Sequence, residues 1–378
     1  MKRVFLLAIL ILCALAGSAY AESVSAESAA TDYLFEEAVK KVDDVAMDAD
    51  GESFSKIATE AMEHGWNKSI TDVLDWLKNT FFSELSNNIN ALIKIVVLAV
   101  LTGVICNLNG PFNGEGVASV SFLACFIVIA GFAADILSEI INTAIKTIDS
   151  LNIFMQSLIP AISGVVSVTG NVSLVALSPS LFICMQVITY FAKNVFLPMI
   201  MLITALTIIN NMTDRFHITK LIEFARQALR WSSGILLTIY IGLLGLQSFS
   251  FSFAGGVAGK TVKYAICNFI PIVGAVLSDS VEAVCASAVM IKNAMGIAGV
   301  LSLISICASP LIKLLIISLL YRFAAGIAEP VTDKRIVNLL SELAGNITQT
   351  FVILLMVSVM FIISVAMMCM AANIPVIG

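Results

Sequence analysis

Long apolar segments recur along the chain from residue 92 almost to its end, and short polar or charged stretches separate them. Stretches of about 18 or more apolar residues are typical of membrane-spanning helices. Some segments are shorter or contain Pro or Gly, which indicates broken or re-entrant helices. The segments lie near residues 92–109, 117–134, 153–170, 173–192, 195–211, 232–250, 264–282, 283–296, 298–321 and 346–372. This pattern predicts an all-α, polytopic integral membrane helical bundle of about seven to ten membrane segments.

The N-terminus has the three parts of a secretory signal peptide. The basic start Met1-Lys2-Arg3 precedes an apolar run from Val4 to Ala16, and Ala19-Tyr20-Ala21 supplies the small residues of a cleavage site. An uncleaved first membrane helix is the alternative, but 13 residues reach only about 20 Å, short of a hydrocarbon core of about 30 Å. We therefore expect a signal peptide over residues 1–21, with cleavage after Ala21.

Residues 22–90 are predicted to form a small helical region outside the membrane, with a partly disordered spacer as the alternative for residues 22–55. This region is acidic, with 15 Asp and Glu residues against 5 lysines. Its last part has apolar residues at three- and four-residue steps, which predicts an amphipathic helix leading into the membrane. The whole chain is 59% hydrophobic and 12% charged, whereas soluble domains carry about 25% charged residues. No basic tail or stripe suggests a nucleic-acid partner.

Basic residues predict the orientation of the bundle. Arg215, Lys220, Arg226 and Arg230 lie in residues 212–231, and a second basic stretch occupies residues 322–345. The positive-inside rule places both stretches on the cytoplasmic side, opposite the acidic N-terminal region. The loop at 110–116 conflicts with this assignment, since it should be inside but contains an acidic residue and no basic one.

The membrane region also shows an internal repeat. Ile159-Pro160 resembles Ile270-Pro271, 111 residues later, and Pro198-Met199-Ile200 resembles Pro310-Leu311-Ile312. Two matched prolines could arise by chance, but parallel repeats are common in transport folds. The sequence is accordingly divided into a first membrane hairpin with an amphipathic connector (residues 91–152), a first repeat (153–250), a second repeat (251–372) and a tail (373–378).

Charged residues inside apolar segments are the candidate functional residues, because a membrane-buried charge is costly unless it is paired or hydrated. Asp279 and Glu282 share a helix face, and a broken hairpin over residues 264–296 would bring Lys292 towards them. This group is either a structural ion pair or part of a substrate or ion path. Lys313 is a further candidate membrane charge.

The hinge of that hairpin is expected at Pro271 and Gly274. Proline removes a backbone donor and its ring clashes with the preceding turn, while glycine adds backbone freedom. The nearby segment Ala254–Thr261 fits a loose phosphate-loop pattern. It joins two membrane segments rather than a strand and a helix, so a turn at the membrane surface is the favoured interpretation.

The sequence contains few residues that could bind a metal ion or a cofactor. It contains two histidines, and its eight cysteines form no C-x-x-C motif. We interpret the cysteines as small apolar packing residues. The sequence therefore predicts no catalytic residue, no metal site and no cofactor, and an intramembrane enzyme is the least favoured function.

Several short motifs together are similar to those of the stage III sporulation protein AE family. They are Lys260-Thr261-Val262-Lys263-Tyr264-Ala265, Ile270-Pro271-Ile272-Val273-Gly274, Leu277-Ser278-Asp279, Ile291-Lys292-Asn293-Ala294-Met295-Gly296, Pro310-Leu311-Ile312-Lys313, Glu329-Pro330, Phe82-Ser83-Glu84-Leu85 and Trp231. The resemblance covers most of the mature chain and is strongest from residue 230 to residue 372. Gly255 departs from the acidic residue expected there.

This resemblance implies a multi-pass protein of the mother-cell membrane around the forespore of an endospore-forming bacterium. It implies a part in a channel complex that links the two cells and supports forespore development. Its partners would be an ATPase, small membrane subunits, ring-forming proteins and the lipid membrane. The family supplies no catalytic residues to carry over. The alternative from the residues themselves is a self-sufficient secondary transporter of a small solute.

Overall fold

The computed structural model describes residues 70–112, 115–168, 172–212, 218–269 and 274–371, and these ranges contain helices and no strand. The helices are α1 Ile70–Phe112, α2 Glu115–Val168, α3 Val172–Phe191, α4 Leu197–Met212, α5 Thr219–Phe269, α6 Gly274–Ala328 and α7 Lys334–Ala371, with a π-helical turn Ala192–Phe196 between α3 and α4. The predicted all-α class is thereby confirmed. The predicted signal peptide, the acidic stretch before residue 70 and the predicted C-terminal tail lie outside the described residues.

Six stretches of the described residues are long and apolar enough to cross a membrane, fewer than the number of segments predicted from the sequence. They are Lys78–Val104, Val120–Val166, Pro179–Met212, Thr219–Gly245, Ala288–Ala328 and Lys334–Cys369. The number falls because neighbouring apolar segments join. Segment 117–134 and residues 153–168 belong to the single helix α2, and segments 283–296 and 298–321 belong to α6.

Prolines that were expected to interrupt these helices are accommodated within them. Pro160 lies inside α2 and Pro310 inside α6. A membrane helix tolerates proline because neighbouring groups satisfy the freed backbone atoms. Before Pro198, the Leu197 N–H donates to the carbonyl of Ala192, five residues back. The wider π turn relieves the clash between the proline ring and the preceding backbone. The predicted segments 173–192 and 195–211 therefore contribute to one span, Pro179–Met212.

The region around the predicted hairpin differs from the expectation in two ways. Helix α5 continues to Phe269, so the Gly-rich segment Ala254–Thr261 is helical and is not a turn. Helix α6 is unbroken from Gly274 onward, so residues 283–296 form no separate arm. The expected interruption near Pro271 coincides with the boundary between α5 and α6, although Pro271 itself lies outside the described residues.

Contacts between helices show that successive spans run in alternating directions. Lys292 and Ser318 of α6 contact Cys369 and Ala344 of α7, so these two helices are antiparallel. Helices α5 and α7 are parallel, since Arg226 bonds to Glu342 and Tyr240 to Ser364. By the same reasoning α1 runs parallel to α6, through Glu84–Ser309 and Ala99–Thr332. The α2–α3 and α2–α6 pairs are antiparallel, through Asn152–Gln186, Asp149–Lys193, Leu158–Gly299 and Glu139–Lys313.

The connection between α6 and α7 packs tightly on α1. Thr332 donates to the carbonyl of Ala99 at 2.9 Å, and any Cβ on Gly103 would collide with the Val331 backbone. The carboxylate of Asp333 accepts a bond from the Arg335 N–H at 2.9 Å and so caps α7. The Arg335 guanidinium also lies 4.0 Å from the centre of the Phe122 ring in α2. This connection and the first turn of α7 therefore link α1, α2, α6 and α7.

The helix directions bear only on the part of the predicted repeat that pairs Pro198 with Pro310. Pro198 and Pro310 lie on spans with the same direction, and each span is followed by a helix that runs the opposite way. The repeat itself stays a prediction, because matched direction does not establish a common origin.

Candidate functional site within the bundle

Helix α7 is the centre of the bundle, and its polar residues therefore define the interior. In its most apolar stretch of 18 residues, 61% of the residues are buried inside the bundle. The corresponding stretch of each of the other five spans is at most 39% buried. Buried polar groups in a membrane bundle are costly unless they find partners. The polar side chains along α7 consequently mark the positions where structure or function requires them.

The first cluster joins α4, α5 and α7 near the predicted cytoplasmic end. The Arg226 guanidinium donates to Glu342 at 3.2 Å and to the Thr207 hydroxyl at 3.3 Å. The side-chain amide of Asn346 donates to the Thr204 hydroxyl at 2.9 Å. Both side chains of the ion pair are about a quarter exposed, at 29% and 25%. We call Thr204, Thr207, Arg226, Glu342 and Asn346 the inner cluster.

Sequence reasoning missed the inner cluster. It assigned Arg226 to a cytoplasmic basic stretch and gave no role to Glu342, which is 116 residues away. A signal was present, because Thr204, Thr207 and Asn211 follow at helical spacing within an apolar segment. All three are buried. That spacing places polar groups on one buried face of α4.

Further along α7, hydroxyl groups join it to α5 and α6. Tyr240 of α5 donates to the Met360 carbonyl at 2.7 Å and is hydrogen-bonded to the Ser364 hydroxyl. Nearer the start of α7, Ser318 of α6 donates to the Ala344 carbonyl at 3.1 Å and pairs with Thr348. These bonds hold α7 between its neighbours without placing a full charge in the apolar region.

Lys292 is the predicted site residue that the structure places deepest, with 0% of its surface exposed. Its Nζ donates to the Cys369 carbonyl at 2.7 Å. Cys369 is among the last four residues of α7, whose carbonyls lack intrahelical donors. A cation also interacts favourably with the negative end of the helix dipole. Lys292 therefore fastens α6 to the C-terminal end of α7.

The predicted acidic partners of Lys292 lie on the same continuous helix. Asp279 and Glu282 are in α6, and their side chains lie outside the described residues. Ten residues of α-helix separate Glu282 from Lys292, an axial distance of about 15 Å. A pairing of Lys292 with these acids stays a prediction, and the unbroken helix does not favour it.

Lys313 lies apart from this group and pairs with a different helix. Its Nζ is 2.8 Å from Glu139 of α2, and the two side chains are 25% and 62% exposed. Of the two candidate hinge residues, Gly274 is the first residue of α6 and Pro271 is not among the described residues. The two predicted membrane charges whose side chains the structure describes, Lys292 and Lys313, thus contact different helices and not each other.

The described residues contain no group of three or more His, Cys, Asp or Glu side chains that could hold a metal ion. Their clustered polar side chains are mostly hydroxyls and amides, with one ion pair in the inner cluster. Such groups can connect helices or coordinate water and small polar solutes.

Comparisons with known proteins agree with the motifs of the chain. The family model described as stage III sporulation protein AE matches residues 53–372, a range that includes every helix above. The chain is 28% identical over 303 residues to the stage III sporulation protein AE of Bacillus subtilis strain 168, which covers 79% of this chain and 76% of that protein. No solved structure matches. Because the family model covers most of its length, the chain belongs to the stage III sporulation protein AE family.

Proposed function

We propose that this chain is a non-enzymatic membrane component of a channel or export complex that links the mother cell to the forespore. The observation that carries this proposal is the family match over residues 53–372, which takes in the whole described bundle. The family is named for a stage of sporulation rather than for a reaction. A membrane protein required at that stage fits a structure made almost entirely of spanning helices.

The contacts of the polar side chains support the role of a component rather than a catalyst. The inner cluster and the α7 hydroxyls form bonds between helices. Large apolar side chains such as Phe224, Trp231 and Phe323 are more than 60% exposed on the outside of the bundle. That outer surface is available to lipid and to the helices of other membrane subunits.

The proposed location is the mother-cell membrane that surrounds the forespore. The proposed partners are an ATPase, small membrane subunits and ring-forming proteins, with no nucleic acid. The charge distribution supports an orientation with the acidic N-terminal region facing the space between the two cells. A fluorescent fusion should consequently encircle the forespore after engulfment.

A self-sufficient secondary transporter is the second candidate, and one observation favours it. The hydroxyls of Thr189, Ser302 and Tyr321 are buried and have no hydrogen-bond partner among the described residues. Buried polar groups without a protein partner are often satisfied by water. Hydrated positions inside a bundle are expected along a solute path.

Reconstitution distinguishes the two candidates. The purified full chain is placed in liposomes loaded with a panel of inorganic ions, amino acids and sugars, and their release is compared with that from empty liposomes. A component that needs partners should give release equal to the control. Release of one solute by the chain alone, lost in the Thr189→Val and Ser302→Ala variants, would support the transporter and refute the proposal.

A further inference from the structure

A groove on the outer face of α5 combines a charged end with an apolar end. It has a volume of about 650 Å³. Gln227, Arg230 and Trp231 line one end, and Gly234, Thr238 and Ile239 continue it along the helix. Trp231 is 67% exposed and Ile239 is 56% exposed. All of these residues belong to one helix, so the groove opens outward from the bundle.

Glycine forms the floor of the groove. A Cβ added to Gly234 would meet no atom within 4 Å, so no part of the bundle fills the space above this residue. Thr238 follows one turn later on the same face and donates its hydroxyl to the Gly234 carbonyl. The groove is therefore a shallow apolar channel between the larger Trp231, Ile235 and Ile239 side chains.

Arg230 supplies a positive charge at the end of this channel. Among the described residues it forms no ion pair, whereas its neighbours Lys220 and Arg226 pair with Glu223 and Glu342. Arg230 thus combines exposure with an unneutralised charge next to an exposed tryptophan. Tryptophan is enriched at the boundary between headgroups and acyl chains.

The dimensions agree with one leaflet of a membrane. Nine residues separate Arg230 from Ile239, which corresponds to about 14 Å along the helix. Half of a hydrocarbon core is about 15 Å thick. A negatively charged headgroup at Arg230 would therefore place its acyl chain along Gly234, Thr238 and Ile239.

We propose that this α5 groove binds an anionic phospholipid, with the phosphate at Arg230 and Gln227 and an acyl chain over Gly234. Charge complementarity selects this occupant over a neutral lipid. It also favours lipid over a helix of another subunit, which would have to bring an acidic side chain to the same depth. The bound lipid is an integral part of the outer surface of α5.

A second groove offers a matched control. It lies on the outer face of α3 and is lined by Phe182, Ile183, Gln186, Val187, Tyr190 and Phe191. It is also formed by a single helix with exposed aromatic side chains, but its lining contains no basic residue. A general attraction of anionic lipid to the protein would act on both grooves, whereas a site at Arg230 acts on one.

Tryptophan quenching by brominated lipids tests the proposal. The full chain, with Trp66 and Trp76 replaced by Phe, is reconstituted with phosphatidylglycerol or phosphatidylcholine brominated on the same acyl carbons. One basic residue contributes about 1 kcal/mol to the attraction of anionic lipid, or about five-fold in binding. Trp231 should therefore be quenched at about a five-fold lower fraction of brominated phosphatidylglycerol than of brominated phosphatidylcholine.

The variants separate headgroup from chain binding. Arg230→Gln should abolish the preference and Arg230→Lys should retain it, while Gly234→Leu should weaken it by filling the channel. The control reporter, Tyr190→Trp combined with Trp231→Phe, should show no preference. Equal quenching of Trp231 by both lipids, a preference that survives Arg230→Gln, or the same preference at position 190 would overturn the proposal. So would protection of Trp231 from both lipids, which would indicate a covering protein helix.

Discussion

Lys292 shows how a single cation is accommodated in an apolar bundle. Its surface is fully buried, and its amine bonds to a carbonyl in the last turn of α7. The helix end supplies carbonyl groups and a partial negative charge, which replace part of the hydration that the amine loses. The lysine thus stabilises the contact between α6 and α7 at the end opposite their short connection.

Replacing Lys292 with alanine should destabilise the protein. The change removes a hydrogen bond from a charged donor, worth about 1.5–3 kcal/mol, and leaves space where the side chain packed. Thermal unfolding of the purified chain in detergent should occur at a clearly lower temperature, and less protein should accumulate in cells. Lys220→Ala is the control, because the Lys220 side chain is 91% exposed and its ion pair contributes about 0–1 kcal/mol.

The same substitution distinguishes two roles for Lys292. A structural role lowers protein level and sporulation together. Normal protein level and melting temperature combined with blocked sporulation would instead indicate a role in a transport path. Parent-like stability and sporulation together would contradict both.

At the scale of elements, the inner cluster connects α4, α5 and α7. Arg226 reaches from α5 to both neighbours, and Asn346 bonds α7 directly to α4. Partial exposure reduces the energetic value of this ion pair below that of a fully buried one. The cluster nevertheless links three helices at one level of the bundle, so loss of one member affects all of them.

Neutralising one member of the inner cluster should cost more than neutralising two. Arg226→Gln leaves the Glu342 carboxylate without its cation and should lower the free energy of unfolding by about 1–2 kcal/mol. Adding Glu342→Gln removes the uncompensated charge and should restore part of the loss. The melting temperatures of the parent, both single variants and the double variant together form a double-mutant cycle. Additive losses in the double variant would show that the two side chains are energetically independent.

The sequence predicted the presence of membrane-spanning helices better than it predicted where each helix ends or which helices contact one another. Apolar length identifies spans because it depends only on neighbouring residues. Whether Pro160 or Pro310 ends a helix depends on groups that other helices supply, and a single sequence does not reveal these. The pairing of Arg226 with Glu342 likewise joins residues that are far apart in the chain. The sequence pattern singles out Lys292, which is buried in the structure, whereas its partner is the Cys369 backbone carbonyl, which carries no sequence signal.

At the scale of the whole molecule, six alternating spans preserve the predicted orientation. Among the described residues, three spans precede the connection between α4 and α5, and two more precede the connection between α6 and α7. The sequence pattern has five apolar segments before residues 212–231, and an odd number of crossings in either case leads to the same side. The basic residues near both connections therefore still predict a cytoplasmic location.

Accessibility of introduced cysteines tests this orientation. In a cysteine-free background expressed in growing cells, whose outer membrane surface is open to the medium, a cysteine at Thr219 should resist an impermeant thiol reagent, because it is on the cytoplasmic side. One at Ser53 should react, since the N-terminal region is predicted to be outside. Permeabilised cells provide the control in which Thr219→Cys becomes reactive. Labelling of the Thr219 position in intact cells, or protection of the Ser53 position, would reverse the assignment.

Co-purification from sporulating cells tests the central claim most directly. The tagged full chain is isolated in mild detergent after engulfment, and proteins that accompany it are quantified against an untagged strain and against the tagged chain from growing cells. We predict enrichment of an ATPase, small membrane subunits and ring-forming proteins at reproducible ratios, only in sporulating cells. Recovery of the chain without enriched partners, under conditions that keep it folded, would contradict its role as a component of a complex.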